Sequence, residues 1–175
     1  MKNNYLLLGI FLLAAVGVAV VIVSNGNSQK FSKEKYLAVV GGDTGISREK
    51  VQTSLSQKLT FFTYTKQTLP SQKILEKEIV NNLTNFAYIQ HYAKTNKVNV
   101  SLEELQTRFQ KVLLSTKMNE RDFLSKINLM YSESKEQYFE ILYQDILTEK
   151  VKNSINEPLS TWLEKQKKSE KIEYL

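Results

Sequence analysis

The chain has 175 residues, a formal net charge of +6, no cysteine, one histidine and six glycines. The lack of cysteine excludes disulfides, thiolate metal sites and a cysteine nucleophile, and a single histidine disfavours histidine-rich metal sites and hydrolase triads. We therefore expect no metal and no cofactor. The composition favours a helical binding or scaffolding module over an enzyme.

A run of 19 uncharged, mostly apolar residues occupies positions 5–23, after Lys2 and before a polar stretch. At ~1.5 Å per residue it spans about 28 Å, close to the thickness of a bilayer's hydrocarbon core. The alternatives are a signal peptide cleaved near Gly17 and a buried core helix, but the apolar run continues past that site. We predict an uncleaved transmembrane anchor. Lysines on both sides nearly balance, so charge leaves its orientation open.

The anchor follows a short tail, residues 1–4, and precedes a small polar linker, residues 24–34, and one domain, residues 35–175. In that domain Tyr36–Val40 is a β-branched run closed by the turn sequence GGDTG, and the terminal KIEYL is a short strand expected to pair with it. Helices are predicted at 47–66, 71–95, 101–116, 119–131 and 134–155, with a short sixth at 159–169 after Pro158. The predicted fold class is mainly α, with five to six helices and a strand pair that joins the two ends of the domain.

Helix starts are marked by capping residues, and each helix carries one apolar stripe. The cap positions are Ser47, Ser71, Ser101, Asn119 and Ser134, of which Ser101 with Glu104 and Ser134 with Gln137 fit capping boxes. The stripes are expected to form the core, and they include Leu59 in the first helix and Leu102 in the third.

Few residues suggest chemistry. The glycines of GGDTG lack the Gly-Lys-Ser/Thr of a phosphate loop, and His91 lies off its helix stripe with no second histidine or cysteine, so we interpret it as a surface residue. The 21 lysines outnumber the three arginines and alternate with glutamates, which is typical of solvated helix faces and not of a nucleic-acid interface.

Large side chains also lie off the stripes. They either contact another helix or form an adaptable binding surface. These residues are Phe61, Tyr64, Tyr88, Tyr92, Tyr138 and Ile141.

The order of the sequence features resembles a known family. A strand ends in Gly41-Gly42, ISRE follows at 46–49, AK at 93–94 precedes VNVSLEEL at 98–105, and WLE at 162–164 is followed by KSEKI at 168–172. This order is similar to the chaperone core of the SurA/PrsA-type extracytoplasmic foldases of bacteria, over about 140 residues from position 36 onward. Asp43 after two glycines departs from the family's usual Asn-Gly turn.

The resemblance implies a helical core that holds unfolded polypeptide in an apolar groove. Family members commonly insert a parvulin-type isomerase domain between the fifth helix and the closing helix, but here residues 151–159 are too few for one. The resemblance therefore implies a membrane-anchored holdase-type chaperone without isomerase catalysis, acting on exported polypeptides outside the cytoplasm of a bacterial cell. Phe61 and Tyr64 are the first candidates for the client surface, and the other off-stripe residues follow. The alternatives are a membrane-tethered scaffold for one dedicated partner and a degenerate isomerase.

Overall fold

The computed structural model describes residues 31–170 and 172–175, and in these residues a small antiparallel sheet is joined to a set of helices. The predicted tail, the predicted anchor and linker residues 24–30 lie outside the described residues. Among the helices that are described, none combines the length and apolar character needed to cross a bilayer. Residues 31–34, predicted as linker, contact the domain: Phe31 packs edge-on against Tyr36, with 4.9 Å between ring centroids.

The helices confirm the predicted mainly helical fold. Each predicted range agrees with the structure to within one residue at both ends. In chain order the elements are β1 (Tyr36–Val40), β2 (Thr44–Ser47), α1 (Arg48–Thr65), α2 (Gln72–Thr95), α3 (Leu102–Thr116), α4 (Glu120–Tyr131), α5 (Lys135–Ser154), α6 (Leu159–Ser169) and β3 (Ile172–Tyr174).

The sheet has three strands in the order β2-β1-β3, and not the two that were predicted. The pairing of β1 with β3 is as expected, with Val40 opposite Ile172. The missed strand β2 returns directly after the turn and places Thr44 opposite Val40. Its four residues, TGIS, are too few to show an alternating pattern, and its backbone bonds depend on β1 being beside it.

Local capping explains where the helices begin. The hydroxyl of Ser47 accepts from the backbone N–H of Lys50, and Ser101 and Ser134 form complete capping boxes. Ser71 occupies the cap position of α2 without a side-chain bond. The capping predictions are thus confirmed in position, and the bonds are made at α1, α3, α4 and α5.

Two apolar clusters form most of the core, and α5 contributes to both. Its C-terminal half, with Leu147 and Val151, packs in a cluster with the sheet, α1, α2 and Trp162 of α6. Its N-terminal half packs with α3 and α4 around Phe109 and Phe123. Helix α5 therefore packs against the elements of both clusters and connects them.

Candidate functional site

Four of the six predicted client-binding residues are buried against other parts of the domain, which is the first of the two alternatives, so they do not line an exposed client surface. They are Phe61, Tyr88, Tyr138 and Ile141. The cause in each case is a neighbour from another helix or from the C-terminal segment. Phe61 stacks on Tyr131 of α4, with ring centroids 5.2 Å apart, and Tyr138 packs against Phe109 and Phe123.

In helix α2 the single apolar stripe did not predict which side chains are buried. The sheet, α1, α5 and α6 all contact it, so residues on the side opposite Phe86 are covered as well. The hydroxyl of Tyr88 donates to the carbonyl of Glu170 at 3.3 Å. Tyr92 is half-buried, with its ring edge-on to Trp162 at 5.3 Å. Of the six predicted residues only Tyr64 is exposed.

Exposed apolar side chains gather where α1 turns into α2. Of the eight large apolar residues that are exposed in the described part of the chain, four lie between positions 59 and 74. They are Leu59, Tyr64, Leu69 and Ile74, with exposed fractions of 37%, 48%, 51% and 60%. We call residues 59–74 the α1–α2 corner.

The helical hairpin places these four residues at its connected end. Lys58 on α1 donates to Glu78 on α2 at 2.7 Å, so the corner is the part of the hairpin beyond this contact. From Lys58 to the last residue of α1 is seven residues, or about 10 Å of helix at ~1.5 Å per residue. The six-residue connection is folded back by a bond from the Gln67 N–H to the Phe62 carbonyl at 3.2 Å. The four residues therefore lie at one end of the α1–α2 hairpin.

Charge at the corner has one sign. Lys66 and Lys73 are the only ionisable residues with a formal charge from 59 to 74, both are exposed, and neither forms an ion pair within the described residues. Of these four residues, Tyr64 was predicted from the sequence to be a surface candidate, and Leu59 was assigned to the core stripe. Leu69 and Ile74 were not predicted. The available signal was that Leu69 precedes Pro70 in a connection and that Ile74 lies next to the stripe residue Leu75 and not on the stripe.

A second distinctive feature is a buried acid at the turn between α4 and α5. Glu133 is 2% exposed, and neither of its carboxylate oxygens has a hydrogen-bond partner among the described residues. The hydroxyls of Tyr131 and Tyr138 also lack a partner there. Burial raises the pKa of Glu133 to about 7, with nearby Lys50 opposing and Glu140 adding to that shift. Lys50 donates to Glu140 at 3.5 Å and so ties α1 to α5 beside the acid.

His91 belongs to a charged cluster that ties the ends of the domain together. Its Nδ1 lies 2.8 Å from the Asp43 carboxylate in the β1–β2 turn, and its Nε2 lies 3.7 Å from Glu170, just before β3. Burial raises the pKa of Asp43, but hydrogen bonds from Lys94 and His91 outweigh it and hold that pKa below its usual range. The imidazole also rests against Gly41, where an added Cβ would lie 2.5 Å from the ring. The predicted surface histidine is thus half-buried and structural.

A cleft of about 290 Å³ lies between α3 and α5, and its walls are charged. Arg108 donates to Asp145 at 2.6 Å and also to Glu149, while Lys150 pairs with Glu104 at 2.5 Å. Ile146 is the one aliphatic residue that lines it. The resemblance implies an apolar groove, whereas most residues that line this cleft are charged, and half of the large exposed apolar side chains in the described residues lie at the α1–α2 corner.

Comparison with known proteins identifies no relative: no family model, no curated protein and no solved structure matches the chain. Functional inference therefore depends on the residues of this chain.

Proposed function

We propose that this chain is a membrane-anchored holdase-type chaperone that binds unfolded or partly folded exported polypeptides without isomerase catalysis. The observation that carries the proposal is the α1–α2 corner, where four large apolar side chains are exposed at one end of a helical hairpin. Singly scattered apolar residues are normal on a protein surface, but a contiguous group marks an interaction site.

The size of the corner suits transient binding. Covering a partly exposed leucine, isoleucine or tyrosine contributes roughly 1 kcal/mol at ~25 cal/mol per Å². Four such side chains together contribute about 4 kcal/mol before the cost of association is subtracted, so the corner by itself binds a client weakly. A holdase that must release its clients needs weak binding of this kind, which depends on apolar area and not on a defined sequence.

The membrane attachment belongs to the same proposal. Residues 5–23 would cross a bacterial cell membrane once and leave the C-terminal domain outside the cytoplasm, where exported chains emerge unfolded. Residues 155–158 join α5 to α6, so the position at which related foldases would carry an isomerase domain is a four-residue connection. We propose no cofactor and no nucleic-acid partner.

A scaffold that binds one dedicated protein is the second candidate, and the α3–α5 cleft favours it. Fixed charges of both signs, such as Arg108 beside Glu149, select a partner by complementary charge and discriminate against others. A cleft of this kind suits one partner better than many unrelated ones.

The test compares aggregation of several unrelated denatured proteins in the presence of the full chain, reconstituted in nanodiscs of zwitterionic lipid. We expect the wild type to suppress aggregation of most of them and a Tyr64→Ser, Leu69→Ser, Ile74→Ser triple variant to lose this effect. The matched control replaces two exposed leucines of α3, Leu102→Ser with Leu114→Ser. Circular dichroism checks that all three proteins keep their helices.

Two outcomes contradict the proposal. Equal loss of protection in the triple variant and in the control would place client binding elsewhere. Failure of the wild type to protect any client, together with tight capture of one cellular protein, would support the scaffold. A peptide assay of proline isomerisation, in which we expect no rate above background, addresses the degenerate isomerase.

A further inference from the structure

The charged side chains of the α1–α2 corner are both lysines, and no carboxylate lies between positions 59 and 74. Seven of the other sixteen lysines in the described residues pair with a carboxylate, among them Lys94 with Asp43, Lys135 with Glu120 and Lys165 with Glu157. Lys66 and Lys73 have no such partner, and they lie among the four exposed apolar side chains. Of the acids just outside the corner, Glu78 pairs with Lys58, and Glu76 accepts a bond from the neutral amide of Gln72 at 2.7 Å.

The backbone fixes where these two lysines stand. Lys66 takes the left-handed conformation that ends α1, with φ of 55°, and its N–H bonds back to the Thr63 carbonyl at 3.3 Å. Lys73 lies in the first turn of α2, beside Ile74, whose N–H bonds to the Ser71 carbonyl at 2.9 Å. Lys66 therefore precedes Leu69 in the chain and Lys73 follows it, one at the end of α1 and one at the start of α2.

We propose that the α1–α2 corner selects, among unfolded polypeptides, apolar segments flanked by acidic residues. The inference rests on the proposed function, because it names the class of client for the same surface. The apolar side chains supply the contact area, and Lys66 and Lys73 attract carboxylates at the two ends of a bound segment and repel lysines there. Solvent-exposed pairs are each weak and are screened by salt. Two such pairs predict a preference of roughly threefold to tenfold at low ionic strength.

The experiment measures binding of three fluorescent peptides to the full chain in zwitterionic nanodiscs. The peptides share one apolar centre and differ only in their flanks, which are aspartate, serine or lysine pairs. We expect affinity to fall in that order, and the differences to shrink as salt is raised. Lys66→Gln with Lys73→Gln should bring the three affinities together while keeping binding of the serine-flanked peptide.

A matched charge control removes two exposed, unpaired lysines away from the corner, Lys152→Gln with Lys168→Gln. It has the same net charge as the test variant, and we expect it to keep the order of affinities. If the control loses the order as well, the net charge of the protein and not the corner sets the preference, and the inference is wrong.

The remaining outcomes separate this inference from the proposed function. Equal wild-type binding of all three peptides would refute the acidic preference and leave client binding intact, whereas no binding of any peptide would refute both. Anionic lipid is the other partner that such a surface could attract. Hydrogen exchange at residues 59–74 that slows in nanodiscs with anionic lipid, but not on adding peptide, would assign the corner to the bilayer and overturn the inference.

Discussion

The buried carboxylate of Glu133 makes a sharp prediction about stability and pH. In the unfolded chain this group has an ordinary pKa of about 4.5, and in the folded protein burial raises that pKa to about 7. Between these two values the folded state holds a proton that the unfolded state has lost. The free energy of unfolding should therefore fall as pH rises from about 4.5, and its fall should end above about pH 7.

The magnitude follows from the difference between the two pKa values. At ~1.36 kcal/mol per pH unit the loss amounts to about 3 kcal/mol, a large share of the 5–15 kcal/mol that is typical of a small domain (about 0.05–0.15 kcal/mol per residue). Titratable groups on three elements face this acid: Lys50 on α1, Tyr131 on α4, and Tyr138 with Glu140 on α5. The attraction of Lys50 is already included in the raised value, because burial outweighs it.

Glu133→Gln tests the reasoning, because glutamine has the same shape and stays neutral. We expect the variant and the wild type to have similar stability near pH 4, and the variant to be more stable by about 3 kcal/mol at pH 8. Urea denaturation of the full chain in a mild detergent, followed by far-UV circular dichroism from pH 4 to 8, measures this difference. All other titratable groups are common to the two proteins, so the difference curve isolates Glu133.

Glu136→Gln provides the control, since this neighbouring glutamate is exposed and hydrogen bonds lower its pKa. It should leave the fall in stability between pH 5 and pH 7 in place. A difference between Glu133→Gln and the wild type that stays constant with pH would refute the argument, because it would mean that Glu133 titrates normally in the folded protein.

Three further predictions concern packing and capping. Phe61→Ala should destabilise the domain by about 3–5 kcal/mol, because it removes a buried ring that stacks on Tyr131. Tyr64→Ala should leave stability almost unchanged, because Tyr64 is exposed. Chemical denaturation of each variant measures the difference, and equal effects would contradict the burial of Phe61. Gly41→Ala should lower the stability of the domain by at least about 1–2 kcal/mol because of the positive φ of Gly41, and by more because of a clash with His91. Adding His91→Ala should restore part of the lost stability, measured by thermal unfolding. No restoration would mean that the imidazole does not contact this glycine closely. Ser101→Ala should lower stability by about 1 kcal/mol through loss of the capping box, with faster hydrogen exchange confined to the first turn of α3; unchanged exchange there would contradict the cap.

Local features of the sequence determined the helices. Capping residues such as Ser101 and Ser134 bond to backbone groups three residues away, and positions three and four apart line one face, so the relevant interactions lie within a few residues. These interactions set where the helices begin and end. The strand β2 was missed because its bonds are made to β1 and not within its own four residues.

Burial of the individual side chains was decided only by the tertiary structure. Phe61 and Tyr88 lie off the apolar stripes, yet α4 covers one and the C-terminal segment contacts the other, while the stripe residue Leu59 is left exposed. Glu133 has no local sign of burial, because its environment comes from α1 and α5 as well as from its own turn. A sequence period reports how one helix divides into faces, whereas the number of neighbours that cover each face depends on how all the helices pack.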